Sequence, residues 1–110
     1  MIKTEFVISD NKILAFSVEG HSGLAPSGED ILCASVSAMT QLVLNTLSEV
    51  VKAELDLSIK EEEAKISCRI LSVPCDREET VQSILKGFYI QLCDLAEVYG
   101  AYLSVRENNE

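Results

Sequence analysis

Apolar residues fall at every second position in some stretches of this chain and at every third or fourth in others, and that switching of period limits the fold more than any other feature. Ile2, Thr4, Phe6 and Ile8 share one side of the first stretch, with Lys3, Glu5, Val7 and Ser9 on the other. Leu14, Phe16 and Val18 alternate again after Asp10-Asn11, two residues that tolerate left-handed backbone angles. Residues 2–20 therefore read as a hairpin. From Asp30 to Ala53 the step lengthens: Leu32, Val36, Met39, Val43, Leu47 and Val50 make a helical stripe able to cover a sheet.

Period two returns in Leu55, Leu57 and Ile59, and again in Ala64, Ile66, Cys68 and Ile70, on either side of Glu61-Glu62-Glu63. This is a second hairpin, closed by Pro74. Asp76 followed three residues later by Glu79 has the form of a capping box. Val81, Ile84, Leu85, Phe88, Leu92, Leu95 and Tyr99 then give a second helix one broad apolar face. Gly100 is a natural stop, and Leu103 and Val105 suit a short last strand. The order β-β-α-β-β-α, with that final strand, predicts an α+β fold: an antiparallel sheet from two β-hairpins with two helices packed on one face. Residues 1–110 fit a single domain. The sheet's other face must be polar or covered, and is a place where a partner subunit could sit.

Hydrophobic residues at 47% and charged residues at 25% are the composition of a soluble globular domain. Eighteen acidic residues against nine basic ones, net −9, oppose direct binding of nucleic acid and favour a basic partner. No run is expected to be long and apolar enough, at roughly 20 residues, to span a membrane. The opening MIKTEFVISD lacks the hydrophobic block of a signal peptide. A cytoplasmic location with reduced thiols is the expectation. Cys33, Cys68, Cys75 and Cys93 contain no C-x-x-C pair, and His21 is the only histidine. Neither a metal site nor a cofactor is expected.

Cysteine chemistry requires the thiolate, and an ordinary thiol with a pKa of about 8.5 is little ionised at neutral pH. A nearby histidine or a helix N-terminus corrects this, and the sequence offers both to Cys33. It stands three residues after Asp30, in the first helical turn if Asp30 is the cap. Ser27 with Asp30 also fits a capping box, which would place Cys33 one turn further in. His21 sits where a strand gives way to a glycine-rich loop, between Gly20 and Gly23. Asp30, Cys33 and Ser37 share one helix side, where Asp30 could orient His21 or cap the helix and Ser37 could bond the thiolate or a substrate. Backbone N–H groups around Cys33 could stabilise an oxyanion. Taken singly, each residue also has a structural explanation: a small core cysteine, a turn histidine, a capping aspartate. Cys68, between Ile66 and Ile70, reads as core.

The run GHSGLAPSGEDILCASVSA resembles the signature of the ribosomal-processing cysteine protease family, Prp, through Gly20, His21, Gly23, Gly28, Asp30, Cys33, Ala34 and Ser37. Ser22 and Ser35 stand where alanine is usual in that family. The resemblance implies a protease with Cys33 as nucleophile and His21 as general base, with Asp30, Ser37, Gly20 and Gly23 in support. It also implies a homodimer that removes a short N-terminal extension from a large-subunit ribosomal protein, cutting beside an aromatic pair before a small residue. The rival readings are a non-catalytic dimeric binding module for a basic ribosomal protein or assembly intermediate and, less favoured, a redox sensor.

Overall fold

Both hairpins form where the alternation places them. The computed structural model describes residues 1–23, 25 and 30–110. Strands β1 (Ile2–Ser9) and β2 (Lys12–Glu19) turn at Asp10 and Asn11, whose φ values of 51° and 62° are the left-handed pair of a tight hairpin. Strands β3 (Glu54–Lys60) and β4 (Lys65–Ser72) are joined by a 3-10 turn over Glu61–Glu63. Helix α1 (Ile31–Asn45) connects the hairpins, and α2 (Glu78–Val98) leads to β5 (Leu103–Asn109). The five strands form one sheet in the order β3-β4-β2-β1-β5. Its neighbours are antiparallel except β1 and β5, which run parallel and make the sheet mixed. The final strand is a full seven residues, held where Ile2 pairs with Leu103 and Ile8 with Asn109.

The core lies between the helices and the side of the sheet that carries Ile2, Phe6, Phe16, Cys68 and Leu103. Phe88 of α2 meets Phe6 and Phe16 edge-on, with ring centroids 5.7 and 5.2 Å apart. The opposite face presents Glu5, Ser17, Ser67, Arg69 and Asp56, so it is polar as an antiparallel sheet open to water should be. At the irregularity between Val7 and Ile8, Gln82 of α2 exchanges two hydrogen bonds with Ile13, accepting from its N–H at 2.8 Å and donating to its carbonyl at 2.9 Å.

Three local expectations are corrected. The first helix ends in a π turn over Thr46–Val50, where the Val51 N–H reaches the Thr46 carbonyl five residues back. The extra residue in that turn shifts the apolar phase: Val50 is 67% exposed and Val51 takes its place in the core. The second helix is capped at Arg77 without a side-chain bond, so Asp76 and Glu79 do not form a capping box. Finally, the helical run Ile31–Val50 has a mean hydropathy of 1.4 and is long and apolar enough to cross a membrane by length and composition. Leu32, Val36, Val43, Leu44 and Leu47 from this run are buried in the core, while Ile31, Leu42 and Val50 are exposed.

Candidate active site

Strand β2 ends at Glu19, and the chain then turns sharply at Gly20, with φ +93° and its N–H donating to the Ala64 carbonyl at 3.0 Å. A Cβ at Gly20 would stand 2.5 Å from the Met1 carbonyl oxygen, so glycine is required there by both angle and space. This turn delivers His21, exposed, to the mouth of a cleft of about 310 Å³. Gly23 also has a positive φ, +74°, but open space around it.

On the other side of the cleft α1 begins. Asp30 is its N-cap, in extended conformation, and accepts the Cys33 N–H through Oδ1 at 2.9 Å. The earlier start implied by Ser27 is replaced by this cap; Ser27 itself and Gly28 lie outside the described residues. Cys33 is half-buried in the first turn and lines the cleft with His21, Gly20 and Ser37. Its sulfur accepts the backbone N–H of Ser22 at 3.2 Å. The Ser22 hydroxyl in turn donates to Asp30 Oδ2. The Cys33 N–H, followed by the Ser22 hydroxyl, holds the Asp30 carboxyl below the usual carboxylate range.

The predicted residues thus gather at one place with altered parts. Asp30 caps the helix, and its carboxylate is bonded to Cys33 and Ser22 rather than to the His21 ring. Ser37 is exposed one turn beyond Cys33, while the described hydrogen bond on the sulfur comes from Ser22. The helix N–H groups expected around an oxyanion are already engaged: that of Cys33 with the Asp30 carboxylate, and that of Ala34 with the Asp30 carbonyl at 3.1 Å. Sequence alone gives Ser22 no part in the site, because a serine in place of alanine loses no group that chemistry obviously needs. Ser35 bonds the Ile31 carbonyl on its own helix.

The cleft floor is apolar. Val18 pairs with Ile66 and Ile66 with Ile59, so three β-branched side chains stand in one row across β2, β4 and the edge strand β3. Lys60, Glu61 and Lys65 rim the far end. Among the described residues no cluster of histidine, cysteine and carboxylate groups is arranged to hold a metal ion. The other thiols are free: Cys68 is buried, Cys75 exposed and Cys93 half-buried.

The family described as Cysteine protease Prp matches residues 1–104. Among solved structures, an essential ribosomal processing protease Prp from S. aureus with a covalently linked product peptide aligns with a TM-score of 0.87 and 22% identity. That alignment covers 98% of this chain and 100% of the other. SMU.848 from Streptococcus mutans aligns at 0.84 and 23%, over 100% and 96% of the two chains. The S. aureus protease with a substrate peptide aligns at 0.80 and 19%, over 98% and 100%. These likenesses show a shared fold. No curated protein sequence matches significantly.

Proposed function

Because the chain belongs to the cysteine protease Prp family, we propose that it is a cysteine endopeptidase with Cys33 as nucleophile and His21 as general base, removing a short N-terminal extension from a large-subunit ribosomal protein in the cytoplasm. The observation that carries this reading is the convergence of a strand end and a helix start on one cleft, with His21 from the first and Cys33 from the second. His21 takes the Cys33 proton, the thiolate attacks the scissile carbonyl, and the imidazolium protonates the leaving amine. Water then hydrolyses the thioester and restores the thiol. An extended peptide laid across the cleft would rest an apolar or aromatic side chain on the row formed by Val18, Ile66 and Ile59. The net charge of −9 favours encounter with a basic ribosomal protein.

In this reading the active form is a homodimer. The polar open face of the sheet offers little to a second copy, whereas Leu42 and Val50 on the first helical run and Ile90 and Val98 on α2 are exposed. Light scattering checks the oligomeric state.

The activity is tested on a peptide spanning the N-terminal extension and the first residues of the mature ribosomal protein. Wild-type protein should release the extension, and Cys33→Ala and His21→Ala should each lower the rate by about 10³-fold or more. Undiminished cleavage by Cys33→Ala overturns the assignment. Tight binding of the peptide without cleavage by the wild type establishes a binding module instead.

A further inference from the structure

We propose that Ser22 is a positioning residue for Cys33: its hydroxyl, anchored on Asp30, holds its own backbone N–H against the sulfur and thereby favours the thiolate. This rests on the reading of Cys33 as the nucleophile. Three hydrogen bonds close a ring around the thiol. The Ser22 N–H donates to Cys33 Sγ at 3.2 Å, the Cys33 N–H donates to Asp30 Oδ1 at 2.9 Å, and the Ser22 hydroxyl donates to Asp30 Oδ2.

The ring matters because the usual source of thiolate stabilisation has been diverted. A helix N-terminus lowers a thiol's pKa through its free N–H groups. Here Asp30 has drawn that of Cys33 to its carboxylate, while the Ala34 N–H makes the first bond of the helix ladder, to the Asp30 carbonyl. A carboxylate so close to the thiol also opposes its ionisation, since like charges repel. Among the described residues the N–H aimed at the sulfur is that of Ser22. At 3% exposure Ser22 is shut off from water, so the bond has little competition.

The neighbouring backbone explains why a hydroxyl is needed to keep this N–H in place. Gly20, pinned against Met1, and Gly23, with open space around it, flank residues 21 and 22, so on the Gly23 side little besides hydrogen bonding fixes the backbone. The Ser22–Asp30 bond ties that segment to the helix cap, and Asp30, held ionised by the same two donors, remains an acceptor through the neutral range.

The test is the pH dependence of Cys33 alkylation by iodoacetamide, followed by mass spectrometry of the Cys33 peptide, alongside peptide cleavage. In Ser22→Ala the alkylation midpoint should rise by about 0.5 to 1 pH unit, leaving roughly three- to tenfold less thiolate below it. The kcat for cleavage should fall in proportion while KM stays unchanged. Superimposable alkylation profiles for Ser22→Ala and wild type overturn the proposal. Asp30→Ser keeps a good helix cap but is too short to reach both partners. Removing Asp30 takes away its repulsion, which lowers the Cys33 midpoint, and the ring, which raises it; the proposal requires the ring to outweigh the repulsion. A lowered midpoint in Asp30→Ser therefore also overturns the proposal, including where Ser22→Ala does not fold. A wild type that fails to cleave peptide sinks the protease reading, while the alkylation profiles still decide what Ser22 does.

Discussion

Cys68 and Cys33 carry the same side chain in opposite surroundings. Cys68 lies in the middle of the sheet on β4, with Phe16 opposite on one side and Leu57 on the other, and is 1% exposed. Burial, with the Asp56 charge as a smaller contribution, pushes its thiol up to about 11. Cys33 lies at a helix start, half-buried, with a cleft on one side and a backbone N–H on its sulfur. In the sheet interior every backbone donor is committed to the ladder and water is excluded, so a thiol there has nothing with which to stabilise charge. At the ends of β2 and α1 the ladder stops, and the loop can supply donors. In the proposed mechanism, reactivity belongs to the ends of elements.

Exchanging sulfur for oxygen at the two positions breaks this comparison most severely. Cys33→Ser should lower peptide cleavage by about 10³-fold or more while leaving the melting temperature near that of the wild type. Cys68→Ser should do the reverse, keeping the cleavage rate but losing about 1 to 3 kcal/mol of stability, because its hydroxyl is buried where strand partners offer it no bond. Cleavage assays and urea melts on both variants check the pair. A large loss of activity in Cys68→Ser with stability intact would erase the distinction between the two regions.

A smaller effect separates the cleft floor from the core. Val18, Ile66 and Ile59 form one row, yet Ile59 on the edge strand is 56% exposed. Its side chain is little buried by folding and lines the cleft across which the peptide is proposed to lie. Ile59→Asp should therefore raise KM about tenfold with little change in kcat or in the melting curve. An unchanged KM would remove the edge-strand end of the row from the substrate path.

The same contrast explains how much could be read before the structure. Elements governed by periodicity were legible: both hairpins, the Asp10-Asn11 turn, the buried faces of the two helices and the core position of Cys68 all follow from local alternation. The gathering of His21, Cys33 and Ser37 on one cleft was permitted by the sequence, since twelve residues from His21 to Cys33 are enough for the chain to fold back. Features that depend on a single hydrogen bond were not legible. The π turn that exchanges Val50 for Val51 depends on one bond from the Val51 N–H to the Thr46 carbonyl. The parallel pairing of β5 with β1 is a long-range choice that no local pattern announces. Ser22 is the clearest case, since only the folded backbone shows its hydroxyl within reach of Asp30 and its N–H on the sulfur.

The smallest expected effects are two pH limbs of stability with opposite sign, one from each region. For Asp30 the folded carboxyl titrates below its ordinary value of 3.8, so the stability it contributes is present above that pH and is lost as pH falls through the lower folded value. For Cys68 the folded thiol titrates at about 11 against an ordinary 9.0, so folding favours the neutral form. That contribution is intact below pH 9 and is lost as pH rises from there to about 11. Urea melts from pH 2.5 to 11 on wild type, Asp30→Ser and Cys68→Ala separate the two limbs. Asp30→Ser should flatten the acid limb and leave the alkaline one, and Cys68→Ala should do the opposite. An alkaline decline that persists undiminished in Cys68→Ala would mean that burial of this thiol is not what opposes its ionisation, and the contrast between the two cysteines would then rest on Cys33 alone.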